Sequence, residues 1–112
     1  MGAMPKFLDP VTGTSTGTVL TLTTGSPKSG SRYLVHGLQG AAKTAGFNWQ
    51  LKDGTTIVKQ GYGLAGADAG FTFGGNKAIR ITPGNTVSVV ITPTASDILV
   101  ANLDLSEEGP GQ

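Results

Sequence analysis

The chain has 112 residues and no cysteine, which allows one domain with its own core and excludes disulfides, thiolate metal sites and thiol nucleophiles. Eight basic residues face seven acidic ones, and the 13% charged share is about half the usual ~25%. The basic residues form no run, so the clustered cationic face that nucleic acid needs is missing, and no apolar stretch approaches the roughly 20 residues of a membrane span.

Residues 1–3 read as a cloning scar ahead of a start at Met4. Residues 4–17 read as a flexible arm, because Asp9-Pro10, Gly13 and Gly17 break regular structure and the threonines between carry no apolar period. From Thr18 the period is two: Leu20 and Leu22 point one way, Thr21 and Thr23 the other. Residues 25–30 are a loop by composition. Residues 32–39 form a strand with imperfect alternation, since Tyr33 and Val35 oppose Leu34, His36 and Leu38. A strand apolar on both faces is central or gives its second face to an interface.

After a small-residue connection, Phe47, Trp49 and Leu51 alternate cleanly with Asn48, Gln50 and Lys52. Asp53-Gly54 then predicts a type I′ hairpin turn into residues 55–60. Residues 61–70, rich in glycine and alanine, read as a loop or a loosely paired edge. Phe71 and Phe73 alternate with Thr72, Gly74-Gly75-Asn76 turns the chain, and Ile79 and Ile81 follow. Pro83-Gly84-Asn85 fits a type II turn. Val87, Val89 and Ile91 alternate with Thr86, Ser88 and Val90; Thr92 to Ser96 turns; Leu99, Ala101, Leu103 and Leu105 alternate with Val100, Asn102 and Asp104. Residues 106–112 read as a flexible polar tail. The result is an all-β chain: a single β-sandwich over residues 18–105, jelly-roll-like, of about eight short antiparallel strands.

The inventory for catalysis is thin. His36 is the sole histidine, and with no cysteine and no second histidine beside it, a packed, hydrogen-bonded role outweighs a general base or metal ligand. Asp53, Asp68 and Asp97 fall in turns, where aspartate bonds its own backbone. Asp104, Glu107 and Glu108 cluster near the end without a calcium-loop pattern, as a solvated tail does. Gly61-Tyr62-Gly63-Leu64-Ala65-Gly66 spells G-x-G-x-x-G, but more glycine follows it where a dinucleotide site needs a helix. No enzyme, cofactor or metal site is expected. Tyr33 and Tyr62 are left as a candidate ligand platform for a carbohydrate- or receptor-binding module, while Trp49 shares its register with Phe47 and Leu51 and points inward.

Several segments share a rhythm: Arg32-Tyr33-Leu34-Val35-His36, then Trp49 to Ile57 across Asp53-Gly54, then Gly74-Gly75-Asn76 before Ala78 to Ile81, and Asn85 to Ile91. In this, residues 30–105 resemble the small β-sandwich virion proteins of tailed bacteriophages, of the capsid-decoration and head-fibre type. The resemblance implies a non-enzymatic structural protein located in the virion. It would dock on capsid or other virion proteins as a homo-oligomer, often a trimer, with no nucleic acid or membrane as partner. On that reading Tyr33, Val35 and His36 are the candidate subunit contact, together with the arm.

Overall fold

The computed structural model describes residues 6–7, 11–66, 69–72 and 78–109. The expected scar at 1–3, Phe73, the turn at 74–76 and the last three residues lie outside them. The described residues hold strands and turns and no helix. The strands are β1 (Lys6–Phe7), β2 (Val11–Gly17), β3 (Leu20–Thr23), β4 (Arg32–Ala42), β5 (Phe47–Asp53), β6 (Thr56–Gly63), β7 (Ala69–Thr72), β8 (Ile79–Arg80), β9 (Val87–Pro93) and β10 (Asp97–Glu108).

They form two antiparallel sheets, each four strands wide. One runs β3-β9-β5-β6; in the other, β1 and β2 share one edge beside β10, β4 follows, and β7 and β8 share the far edge. The chain changes sheet at most connections, and among the described residues only β5 and β6 form a hairpin within one sheet. That wrapped path, with the first strands paired to the last, is a jelly roll. The core between the sheets is built from the alternating positions seen in the sequence: Leu20 and Leu22, Phe47, Trp49 and Leu51, Val87, Val89 and Ile91, and Leu99 to Leu105. Burying such side chains, at about 25 cal/mol per Å² of apolar surface, is the main force holding the sheets together.

Within the segment expected to be an arm, Lys6–Phe7 and Val11–Gly17 belong to this second sheet. Val11–Gly17 pairs with β10 from Leu103 back to Asp97. Its outward residues Thr12, Thr14 and Thr16 are exposed, and its inward positions after Val11 carry Gly13, Ser15 and Gly17. The strand was hidden because Val11 is the one apolar residue on its inner face, and Leu22 fills the space where a Gly13 side chain would stand. The tail is likewise shorter than expected. Ser106 to Glu108 still belong to β10 and pair with Leu34 to Arg32.

The imperfect alternation of β4 has a local cause. Gly37 faces Asp104 but Val35 faces Leu105, so His36 is an extra residue in a β-bulge. The bulge swaps the faces, and Tyr33 and Val35 before it share the core with Leu38 and Ala42 after it. The strand is central, and Leu34 is buried on its outer side.

Two turns separate into one expected and one displaced. Gly84 has φ +86° and the Asn85 amide donates to the Thr82 carbonyl at 3.0 Å, as a type II turn requires. At the hairpin, Asp53 pairs with Thr56, so Gly54-Thr55 is the two-residue loop instead of Asp53-Gly54. Gly54 has φ +61° and no other residue type has positive φ among the described residues, which fits type II′ in place of the expected I′. Asp53 is thereby freed to bind the 82–85 turn: its carboxylate accepts from Thr82 N at 3.0 Å, Thr82 Oγ1 at 2.8 Å and Asn85 Nδ2 at 2.8 Å.

The glycines of β6 are spacers. A methyl group on Gly61 would stand 2.8 Å from the Trp49 ring, and one on Gly63 would collide with the Phe47 ring. Both rings are buried and have no room to withdraw. Gly61→Ala and Gly63→Ala are each expected to lower unfolding stability by about 1–3 kcal/mol through overpacking. Gly25→Ala, where no atom lies within 4 Å of the new carbon, serves as the near-neutral control in the same urea titration.

Candidate functional site

The residues singled out from the sequence do not converge. Tyr33 is buried, and its hydroxyl donates to the Gly25 carbonyl at 2.9 Å. Val35 is fully buried. Neither reaches the surface: the bulge at His36 turns both into the core, away from the outer face where a subunit contact was expected. Tyr62, by contrast, stands 85% exposed on β6. Tyr33 and Tyr62 belong to different sheets and form no common platform.

His36 is half-buried on the outer side of the bulge, its Nε2 2.7 Å from Ser106 Oγ. A serine bonded to a histidine is the arrangement of an activated nucleophile. Here the Ser106 side chain is sealed from solvent, so no substrate carbonyl can reach the oxygen. The bond ties the β4 bulge to β10. Among the described residues, no three His, Asp or Glu side chains are grouped to hold a metal ion.

Two surface features remain, one on each sheet. On the outer face of the β3-β9-β5-β6 sheet, Asn48 pairs with Tyr62 and Gln50 with Gln60. With Gly61 these line a cleft of about 160 Å³. Their outward direction follows from the rings beneath: Phe47, Trp49 and Leu51 point in, so Asn48 and Gln50 point out. Lys59 faces Leu51 while Ile57 faces Lys52, which makes Val58 the extra residue of a second bulge. That bulge sets Gln60 and Tyr62 on the outer face.

On the outer face of the other sheet, Ile98 and Val100 of β10 are 46% and 41% exposed. Val100 pairs with Ala41, and these three with Ala42, Lys43 and Gly66 line a shallow groove of about 260 Å³. The groove is held by backbone bonds: Lys43 N to Ile98 O at 3.0 Å and Gly66 N to Ala42 O at 2.9 Å. Asp97 fixes its end. The carboxylate accepts from Thr44 N and Ala45 N, both at 2.7 Å, from Thr44 Oγ1 at 3.0 Å, and from Ile98 N at 2.8 Å. Neither the amide cleft nor this groove was foreseen. The signal available was outward amides at alternate positions of β5 and outward Ile98 and Val100 where polar residues are usual.

No family model and no curated protein matches the chain. Among solved structures, it is similar to the CBM36-1 domain of a multidomain xylanase from the hindgut metagenome of Trinervitermes trinervoides, at 17% identity and a TM-score of 0.47, covering 96% of this chain and 92% of that one. It is similar to the virus-like particle of the Macrobrachium rosenbergii extra small virus, at 16% identity and 0.47, covering 97% and 80%. A stretch of the insecticidal delta-endotoxin Cry8Ea1 of Bacillus thuringiensis matches at 18% identity and 0.43, covering 93% of this chain and 20% of that protein.

Burial raises the pKa of Asp97, but the hydrogen bonds from Thr44, Ile98 and Ala45 outweigh it and hold the carboxyl below its ordinary value. A depressed carboxylate contributes stability above its unfolded pKa of about 3.9, and that stability disappears as pH falls through the folded value. Melting temperature is therefore expected to fall on acidification below about pH 5. Asp97→Asn should be less stable at neutral pH and show a flatter acid limb in thermal melts recorded across that range.

Proposed function

We propose that this chain is a non-enzymatic β-sandwich module of a phage particle that docks on capsid or other virion proteins, and assembles as a homo-oligomer. The observation that carries the reading is the outer face of β10. An antiparallel sheet with one solvated side normally alternates apolar in and polar out. At Ile98 and Val100 both sides are apolar, and the outward pair stands against Ala41 in the groove. Exposed apolar clusters of this kind mark docking surfaces. The virion as the partner's setting rests on the sequence resemblance of residues 30–105. The contact surface is accordingly moved from Tyr33 and Val35 to Ile98, Val100 and Ala41.

The reading requires no chemistry. Docking through a preformed sheet face buries apolar area without reordering the backbone, and affinity is set by how well the partner fills the groove.

Size-exclusion chromatography with light scattering, followed by co-sedimentation with phage particles whose capsid genes neighbour the gene for this chain, tests both parts. The unaltered chain should run as an oligomer and pellet with particles. Val100→Asp should keep its melting temperature, since the site is exposed, and lose co-sedimentation by tenfold or more, the effect of about 1.4 kcal/mol. A strict monomer that leaves particles in the pellet and itself in the supernatant overturns the proposal.

A further inference from the structure

We propose a second, independent binding site: the cleft between β5 and β6 takes a neutral carbohydrate chain, with Tyr62 as the stacking surface and Asn48, Gln50 and Gln60 as hydroxyl-reading amides. It lies on the sheet opposite the docking face and does not depend on that reading.

The chemistry of the cleft selects the ligand. Three carboxamides stand side by side on two paired strands, Gln50 directly opposite Gln60, and Asn48 opposite Tyr62. Each offers two N–H donors and a carbonyl acceptor. Among the described residues, none of these three side chains is hydrogen-bonded to another protein group. The cleft therefore presents unspent donors and acceptors in close array. A pair of neighbouring sugar hydroxyls, each both donor and acceptor, matches a carboxamide in the same way. The Tyr62 ring, 85% exposed, supplies an apolar surface with a polar tip, the combination that packs on the C–H face of a pyranose while the hydroxyl stays wet.

The surroundings exclude charged ligands. The outward positions on this sheet include Thr21 and Thr23 on β3, Ser88, Val90 and Thr92 on β9, and Lys52 on β5. None carries a carboxylate, and the cations near the cleft are Lys52 on β5 and the exposed Lys59 on β6, which do not make a basic cluster. A phosphate or sulfate chain needs a basic cluster. A hydroxyl- and amide-lined sheet face with one exposed ring does not supply one. The aromatic rings beneath make the floor rigid, because Trp49 and Phe47 fill the space under Gly61 and Gly63. A rigid floor lowers the ordering cost of binding a chain that lies along the sheet.

The test uses the full chain, labelled with ¹⁵N and titrated to millimolar concentration with hexasaccharides of glucose, xylose, mannose, galactose and N-acetylglucosamine, and with a heparin hexasaccharide as the charged control. At least one neutral oligosaccharide should shift the side-chain amide signals of Asn48, Gln50 and Gln60 saturably. Tyr62→Ala should weaken that binding about tenfold or more, with Tyr62→Phe close to the unaltered chain. Gln60→Ala should weaken it several-fold. These side chains are exposed or at the surface, so unchanged melting temperatures will confirm that the variants are folded. The proposal is overturned if no neutral oligosaccharide gives saturable shifts. Binding that maps away from β5 and β6, binding indifferent to Tyr62→Ala, or binding of the heparin fragment alone overturns it as well.

Discussion

Phe47 and Trp49 lie across the glycines of β6, and much of the rest is arranged around that contact. An edge strand with bulky inner side chains would be pushed off the sandwich by rings of this size. Gly61 and Gly63 let the rings reach the strand's backbone, so β6 stays flush with β5. Each aromatic ring removes roughly 150–250 Å² from water, or about 4–6 kcal/mol before ordering costs are subtracted. Set against a total stability of about 5–15 kcal/mol for a domain of this kind, two such rings decide whether the sheet closes. The same contact fixes the surface above it. With the rings inward, Asn48, Gln50, Gln60 and Tyr62 have only the outer face left.

Complementary bulk recurs where the other sheet meets this one. A side chain on Gly40 would meet Ile91 at 2.7 Å, and one on Gly13 would overlap Leu22. Small residues on β2 and β4 stand opposite large ones on β3 and β9. The inner surface of one sheet is recessed where the other projects, which is how two sheets with unequal side chains reach native packing density. The abundance of glycine and threonine thus has a division of labour: glycine on inner positions that must be empty, threonine on outer positions that must be polar and β-forming.

The parts of this fold legible in the sequence were those in which the inner residues are apolar. β3, β5, β9 and β10 show period two with leucine, valine, isoleucine or an aromatic residue inside, and the structure places them as read. β2 was illegible because, after Val11, its inner residues are Gly13, Ser15 and Gly17, and one apolar side chain makes no hydrophobic period. Residues 61–63 end the edge strand β6, the second of the two readings given to that stretch. β4 looked two-faced because one added residue, His36, reverses parity halfway along it. No composition rule announces such a residue. The hairpin slipped by one for a related reason: Asp53 has a stronger use as a strand-end acceptor for Thr82 and Asn85 than as a turn residue. Of the candidate ligand site, Tyr62 was legible and its companions were not. Counting back from the turn without the bulge at Val58 would pair Gln60 with Trp49 and face it inward, so the amide cluster exists only once the bulge is known.

The two outer faces differ in a way that a two-layer architecture turns to use. One face offers Ile98, Val100 and Ala41 and its threonine border; the other offers neutral amides, hydroxyls and a single exposed ring. The sheets are packed back to back, about 10 Å apart. Attachment through the β2-β10-β4 face leaves the β5-β6 cleft directed away from the surface to which the module is attached. Neither face has to change shape for the other to be occupied, because the core between them is close-packed and the groove and the cleft are each framed by backbone hydrogen bonds. Under the two proposals, attachment at one face and presentation at the other are separable properties: changes at Val100 would act on attachment and changes at Tyr62 on what is held, with Trp49 filling the space beneath the cleft.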